Sequence, residues 1–236
     1  MTEPTAPAAG PSRRRYGGVS AEARQAQRRE RLLEAALDVF GTEGYASATM
    51  RLICAKARLT ERYFYEQFTG LDDVFQILHQ QLSEGLIESV TQAYAKHLPQ
   101  ESDERLRACL RAFFQYIQND PRRARILLMD AVFTGRTDVM DKTTAVQRML
   151  CMLTRRIEQM YPGALSQVDV ELIAGGIVGM VIHTATIWAA RGFSASLDQI
   201  IDHNLYAWRG LHGWLAELDA ATKAATLKAT PPQAGA

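Results

Sequence analysis

The segment ARLTERYFYEQF, residues 57–68, combines aromatic rings with many hydrogen-bonding side chains. Tyr63, Phe64 and Tyr65 are consecutive, so on a helix their rings must point in different directions. If Phe64 and Phe68, four residues apart, hold this helix against the rest of the chain, the other side chains face outward. Such a surface of guanidinium, hydroxyl, carboxamide and carboxylate groups is suited to contact with another molecule. The predicted outward residues are Glu61, Arg62, Tyr63, Tyr65 and Gln67.

Two short helices must position this surface. Thr49 is placed to cap a helix that ends near Ala57, and after a turn at Arg58 and Leu59 the next helix begins near Thr60. A short helix, a turn and a second short helix outline a helix-turn-helix, whose second helix lies in the major groove of DNA. Arginine can bond both guanine acceptors, whereas tyrosine, glutamine and threonine can reach phosphates. The predicted contacts of this motif are Thr49, Arg51, Thr60, Glu61, Arg62, Tyr63, Tyr65 and Gln67.

The segment GYASATMRLICAKARLTERYFYEQFTGLDDVF, residues 44–75, resembles the amino-terminal domain of the tetracycline-repressor (TetR) family. The resemblance lies in the Gly-Tyr pair that follows the first helix and in the Tyr-x-x-Phe pattern of Tyr65 and Phe68. It implies that the hydroxyl groups of Thr49 and Tyr65 bind phosphate.

Two positions depart from the family pattern. Arg58 stands where the turn usually has glycine, which predicts a positive φ that costs an arginine about 1 kcal/mol. Leu71 replaces the lysine that often opens the fourth helix, so the phosphate contact of that lysine is not expected here.

Charge is unevenly distributed along the chain. Residues 13–70 carry a net charge of +4 and residues 71–236 a net charge of −2, within a total of +1. A basic amino-terminal part is typical of contact with a polyanion. The run PSRRRYGG before the first helix is either a solvated basic tail or an arm that inserts into a minor groove. The candidate arm residues are Arg13, Arg14 and Arg15.

Helical periodicity continues over almost the whole chain, without a strand pattern or a repeat. We therefore predict an all-α fold of about nine helices in two domains. The predicted divisions are a flexible basic arm (1–19), a three-helix DNA-binding domain with the helix-turn-helix (20–70), a larger helical ligand-binding and dimerisation domain (71–218) and a disordered tail (219–236).

The stretch 172–190 contains no charged side chain and has a GxxxG pair, features that membrane spans share. His183, Thr184 and Thr186 and the amphipathic helix that follows favour instead a helix of a soluble protein, buried on nearly all sides. The three scattered cysteines and the absence of an apolar leader segment favour the reducing cytoplasm, without membrane contact.

Enzyme signatures are missing from the sequence. It has no glycine-rich phosphate loop, no GxSxG elbow and no HExxH, and no two histidines are spaced as ligands on one helix face. We therefore predict no enzymatic activity, no metal and no cofactor. Two alternatives stay open: a helical small-molecule-binding protein or enzyme without operator-specific DNA binding, and a DNA-binding protein that needs no ligand.

The family resemblance implies a homodimeric transcriptional regulator, usually a repressor, that leaves a palindromic operator when a small molecule enters the second domain. Aromatic and methionine side chains can line an adaptable apolar cavity, although such a stripe is more often plain core. The candidate ligand-binding residues are Phe113, Tyr116, Met129, Phe133, Met149, Met152 and His183. Small and large apolar residues in the last two helices predict the dimer interface: Gly175, Gly179, Trp208, Leu211, Trp214 and Leu215.

Overall fold

The computed structural model describes residues 20–97, 102–129 and 145–229. Over these ranges the chain forms nine α-helices and no strand, which confirms the all-α prediction. Four candidate site residues, Arg13, Arg14, Arg15 and Phe133, lie outside the described residues.

Three helices form the amino-terminal domain: α1 (Ala21–Glu43), α2 (Met50–Ala57) and α3 (Glu61–Tyr65). Ser20 caps α1 by accepting a hydrogen bond from the Ala23 N–H, and α1 ends at Gly44, whose φ of +83° favours glycine. The core of this domain is a cluster of fully buried side chains that includes Phe40, Ile53, Phe64 and Val74.

The remaining helices form the distal domain. They are α4 (Leu71–Lys96), α5 (Ser102–Gln118), α6 (Arg122–Ala124), α7 (Ala145–Met160), α8 (Val170–Ala190) and α9 (Leu197–Ala229). Their core includes Phe114, which meets Trp188 edge-on with ring centroids 5.7 Å apart. Along the α5–α9 seam, Arg209 donates to Asp103 at 2.6 Å, Arg107 donates to Asp202 at 2.5 Å, and Arg111 pairs with Asp198.

The two domains meet where α6 continues into a π-helix, Arg125–Met129. Ile126 is fully buried in the amino-terminal core, whereas Leu127 and Leu128 pack against the distal core. A Cβ atom on Gly41 of α1 would lie 2.8 Å from the Cα of Arg122, so this close approach requires glycine. The first turns of α4 thus belong to the amino-terminal core and its later turns to the distal core. The segment from α6 to the π-helix makes a second connection between the two cores.

The end of α9 differs from the prediction of a disordered tail from residue 219, because the helix continues to Ala229. Asp219 is buried and accepts a hydrogen bond of 2.5 Å from the Gly163 N–H, and Thr222 accepts one of 2.5 Å from Gln167. These contacts with the segment before α8 hold the last turns of α9 in place. The last turns consist mainly of alanine, threonine and lysine and therefore offer little apolar surface of their own.

Candidate DNA-binding and ligand-binding sites

The recognition helix α3 is held by aromatic side chains on one face. Phe64 and Phe68 are buried with ring centroids 5.5 Å apart, as the spacing predicted. Arg62 and Tyr65 are exposed, and so is Glu61 at the start of the helix. The structure therefore presents a polar surface on the side of α3 that faces away from the core.

The turn that precedes α3 fixes its direction. Thr49 Oγ1 accepts a hydrogen bond of 3.2 Å from the Leu52 N–H and caps α2, as predicted. Arg58 ends α2 in the left-handed conformation, with φ 52° and ψ 46°, so the predicted positive φ is confirmed. Thr60 is exposed and makes no side-chain capping bond to α3, which leaves its hydroxyl available to another partner.

The two guanidinium groups on this surface are paired with carboxylates. Arg62 Nε lies 3.1 Å from Glu66 Oε1, and Arg51 Nε lies 3.3 Å from Glu61 Oε1. Both arginine side chains are more than four-fifths exposed, so these pairs are weak and readily exchanged for another anion.

Tyr63 and Gln67 are less exposed than predicted. Tyr63 is half-buried beneath the guanidinium of Arg28, which lies 4.6 Å from the ring centroid, and Gln67 Nε2 is buried. The physical reason for Tyr63 is the angle of 100° between successive helical residues, which turns its side chain towards α1. The contribution of Arg28 was missed, since the sequence of α2 and α3 alone carries no signal for a residue of α1.

A cavity of about 350 Å³ lies in the distal domain between α4, α5, α7, α8 and α9. Its volume falls in the range of about 300–1,000 Å³ that is typical of ligand pockets. Apolar side chains from all five helices form most of its wall: Val90, Leu106, Cys109, Leu110, Phe113, Met149, Met152, Leu153, Ile177, Val178, Val181, Ile182 and Trp208.

Three of the predicted ligand-binding residues, Phe113, Met149 and Met152, line this cavity. The other described candidates, Tyr116, Met129 and His183, do not line this cavity. Tyr116 turns away towards Arg123, whose guanidinium carbon lies 4.3 Å from the tyrosine ring centroid. Met129 ends the π-helix at the domain junction, and His183 lies on the outer face of α8.

Three arginines at the cavity, Arg105, Arg155 and Arg156, were missed by sequence reasoning. Arg105 donates from Nε to the His97 carbonyl oxygen at 3.2 Å, while Arg155 is exposed and Arg156 half-buried. The only sequence feature that pointed to these groups was the pair Arg155 and Arg156 on the polar side of α7. Such a pair is by itself typical of a solvated helix face. Together with the apolar wall, these groups make an environment for an apolar molecule with an anionic end.

Cys109 also lines the cavity, where burial raises its thiol pKa to about 11. The thiol is therefore protonated near neutral pH and contributes an apolar surface rather than a nucleophilic thiolate. Within the described ranges, no three His, Cys, Asp or Glu side chains are grouped as metal ligands.

The predicted dimer-interface residues fall into three groups. Trp208 and Leu215 are buried in the core of their own chain, so the prediction was wrong for these two side chains. Gly175 and Leu211 are half-buried. Gly179 and Trp214 are exposed, Trp214 to 49%, and therefore remain candidates.

The outer face of α8 carries exposed apolar side chains, so the helix is not buried on nearly all sides as the sequence suggested. Leu172 and Ile187 are exposed on α8, and Tyr206 and Trp214 on α9. By length and composition α8 could cross a membrane. However, its opposite side packs into the distal domain through buried residues such as Ala185 and Trp188.

Comparisons with known proteins agree with both parts of the chain. The family model of bacterial regulatory proteins of the tetR family matches residues 32–77, and a tetracyclin repressor-like C-terminal domain matches residues 103–204. Together these matches cover more than half of the chain and include the recognition helix and most of the cavity.

Individual relatives extend over most of the chain. The HTH-type transcriptional activator FasR of Mycolicibacterium smegmatis is 25% identical over 186 residues, which are 78% of this chain and 83% of FasR. A TetR-like transcriptional regulator from Rhodococcus sp. RHA1 is 25% identical with a TM-score of 0.62, covering 80% of this chain and 97% of the other. FadR from Bacillus subtilis, solved in complex with stearoyl-CoA, shares the fold at 18% identity and a TM-score of 0.62, covering 75% and 96%.

Proposed function

Because this chain belongs to the TetR family of bacterial transcriptional regulators, we propose that it acts in the cytoplasm as a ligand-controlled homodimer on a palindromic operator. One observation carries the proposal: a single helix connects the DNA-reading surface with the cavity. Five residues separate the end of α3 from the start of α4, and Val90 and Tyr94 near the other end of α4 line the cavity. Its 26 residues span about 39 Å at 1.5 Å per residue.

In the proposed complex, α3 enters the major groove and Arg62 exchanges Glu66 for the two acceptors of a guanine. Glu61 can accept a hydrogen bond from the amino group of a cytosine. The hydroxyls of Thr49, Thr60 and Tyr65 then lie towards the phosphates that border the groove, as does the guanidinium of Arg51. The arm residues before α1 stay a prediction.

We propose that the exposed apolar faces of α8 and α9 form the homodimer interface. Leu172, Gly176, Gly179 and Ile187 follow one face of α8, and side chains added at Gly176 or Gly179 would meet nothing within 4 Å. Small residues on such a face allow helices of two copies to approach closely. Burial of the Tyr206 and Trp214 side chains would supply a large part of the apolar contact area.

We propose an amphipathic anion, such as a long-chain fatty acyl thioester, as the ligand. The apolar wall suits a hydrocarbon chain, and Arg155 and Arg156 can neutralise an anionic head group at the mouth. The fold shared with FadR, whose structure contains stearoyl-CoA, supports this choice. The ligand must favour the conformation that binds DNA poorly, because equal affinity for both conformations shifts nothing.

The proposed mode is repression relieved by the ligand. The two recognition helices of a dimer must match grooves about 34–36 Å apart, so a tilt of α4 by a few ångströms prevents both from docking. Activation is a second candidate, favoured by the name of FasR as a transcriptional activator. A promoter–reporter assay with and without the regulator decides between the two.

The first experiment searches the DNA beside the gene for an inverted repeat and titrates that repeat with the protein, in comparison with scrambled DNA, at several salt concentrations. Arg62→Ala should lower base preference by about 1–3 kcal/mol at one position in each half-site, while Tyr65→Phe should weaken all sequences alike. The matched variant Glu66→Gln frees Arg62 and should strengthen binding to both DNAs. Equal affinity of the wild-type protein for both DNAs would refute operator recognition.

The second experiment tests the ligand with three probes: stearoyl-CoA, stearate and stearyl alcohol. The double variant Arg155→Gln/Arg156→Gln should weaken binding of the two anions about tenfold and leave the alcohol unchanged, since only charge recognition is removed. Arg191→Gln is the control, because Arg191 is exposed at the end of α8 and does not line the cavity. Equal losses for all three probes, or no loss, would contradict an anion site at the mouth.

A further inference from the structure

A stacked pair joins α1 to the recognition helix. The Arg28 guanidinium carbon lies 4.6 Å from the ring centroid of Tyr63, and both side chains are half-buried. Such cation–π stacking fixes the plane and position of the guanidinium. The Nε–H of Arg28 is buried and has no hydrogen-bond partner among the described residues. A hydrogen bond at Nε therefore does not hold the Arg28 side chain against the Tyr63 ring.

The charge of Arg28 differs from those of Arg51 and Arg62, which are paired with carboxylates at this surface. Its neighbour Arg29 stacks in a similar way, with its guanidinium carbon 4.9 Å from the ring centroid of Phe68. Glu61 is paired with Arg51, and Glu66 is paired with Arg62. Within the described residues, Arg28 has no carboxylate at ion-pair distance. The DNA-free domain therefore keeps an uncompensated positive charge, held in a fixed position, beside its recognition helix.

The helical geometry places this charge at one flank of α3. If the buried Phe64 and Phe68 define the inner face, Arg62 projects outward, while Tyr63 and Tyr65 project towards opposite flanks at 100° per residue. A helix with side chains is about 10–12 Å wide and the major groove is about 12 Å wide, so each flank meets the phosphates of one groove wall.

Resting on the proposed operator binding, we propose that Arg28 is a phosphate-binding residue and Tyr63 the residue that positions it. Arg28 contacts the strand opposite to the strand that Tyr65 contacts in the same half-site. Tyr63 then serves as a support for the guanidinium rather than as a base-reading residue. This assignment adds a contact from α1 to those of the helix-turn-helix and explains why a large aromatic ring occupies the flank of α3.

Salt-dependent operator titration tests the contact. Arg28→Gln should weaken binding about tenfold to specific and scrambled DNA alike, and should lower the slope of log affinity against log salt by about one per half-site. Arg28→Lys should retain the wild-type slope. Arg111→Gln removes the same charge from α5, far along the chain from the reading surface, and should leave the slope unchanged.

The role of Tyr63 has its own set of variants. Tyr63→Phe keeps the ring and should bind like the wild type, whereas Tyr63→Leu removes the stacking partner and should match Arg28→Gln. The double variant Arg28→Gln/Tyr63→Leu should lose no more than either single variant, because both remove one contact. Thermal unfolding of each variant separates a loss of folding from a loss of binding.

Phosphate ethylation interference locates the contact on the DNA. Ethylation of a phosphate weakens binding only if the protein contacts that phosphate, so a variant that lacks the contact becomes insensitive to it. The phosphates to which Arg28→Gln becomes insensitive should lie on one DNA strand, and those to which Tyr65→Phe becomes insensitive should lie on the opposite strand. An unchanged salt slope in folded Arg28→Gln, or loss on the same strand as Tyr65→Phe, would overturn the inference while leaving operator binding intact. Failure of the wild-type protein to prefer the operator would instead refute the proposed function.

Discussion

The cluster of Glu34, Asp38, Asp120 and Arg122 connects α1 to α6, and its central guanidinium can be removed by Arg122→Met. Arg122 donates from Nε and Nη2 to the two oxygens of Asp120, each at 2.9 Å, and from Nη1 to Glu34 at 2.9 Å. Arg122 Nη1 also lies 3.6 Å from Asp38 Oδ1. Methionine keeps much of the aliphatic stem, so the substitution chiefly removes the charge and its donors.

The expected loss follows from the exposure of each partner. The Glu34 side chain is 65% exposed, so its pair contributes little, whereas the Asp120 side chain is 16% exposed and loses two aligned donors. Arg123 Nε remains 3.8 Å from Asp120 and compensates in part. Since hydrogen bonds to charged groups contribute roughly 1.5–3 kcal/mol, we expect the unfolding free energy to fall by about 2 kcal/mol near neutral pH.

The pH dependence provides an independent check. Hydrogen bonding from Arg122 holds the pKa of Asp120 below its ordinary value of 3.8. A carboxyl group whose pKa is lower in the folded state stabilises the fold above its unfolded pKa, and loses this contribution as pH falls through the folded pKa. The difference between wild type and Arg122→Met should therefore be full above about pH 5 and should shrink below 3.8.

Urea unfolding followed by circular dichroism, at one fixed protein concentration, measures both effects. Arg111→Met is the matched control, because its pair with Asp198 is 42% and 67% exposed and should contribute less than about 1 kcal/mol. If Arg122→Met loses no more stability than Arg111→Met near neutral pH, the two hydrogen bonds from Arg122 to Asp120 do not stabilise the start of α6. A loss that persists undiminished at low pH would show that Asp120 is not the partner that matters.

Three further outcomes follow from local geometry. Arg58→Gly should raise the unfolding free energy by about 0.5–1 kcal/mol, because glycine adopts φ 52° without strain. The thermal midpoint should rise accordingly, and a lower midpoint would contradict this expectation. Thr49→Ala should cost about 1 kcal/mol in thermal unfolding through the lost cap of α2, and an unchanged midpoint would show that the cap is dispensable. Iodoacetamide at mildly alkaline pH should modify exposed Cys151 well before Cys109, whose thiol pKa is about 11; mass spectrometry that finds equal rates would refute the burial argument.

The recognition helix was predictable because its signals are local. The four-residue spacing of Phe64 and Phe68, the hydroxyl of Thr49 before α2 and the missing glycine at Arg58 each refer to neighbours within about four residues. Local signals of this kind survive folding, because α2 and α3 are short and the turn between them leaves few alternatives. Tyr63 departs from the pattern because α1, about 35 residues earlier, covers its ring with Arg28.

The cavity was predictable only in part, because it depends on which faces of five helices meet. Phe113 and Tyr116 are three residues apart on α5 and both are suited to an apolar pocket, yet only Phe113 reaches it. The Tyr116 ring instead lies beneath Arg123, a residue of the short helix that follows. Likewise Arg155 and Arg156 resemble any charged helix face until α7 is packed beside α4, α5 and α8.

The junction between the two cores offers the proposed ligand control a second route besides α4. Ile126 is packed in the amino-terminal core and Leu127 in the distal core, so successive residues of one π-helix belong to both. Packed cores are not continuously deformable, and a shift of Leu127 must therefore be taken up by repacking around Ile126 or by a change in the π-helix itself. Arg122, three residues before this π-helix, donates a hydrogen bond to Glu34 of α1, and Arg28 of α1 stacks on Tyr63 of α3. In the proposed mechanism, a displacement of the distal core by the ligand is therefore transmitted to the DNA-binding surface through α6 and α1 as well as along α4.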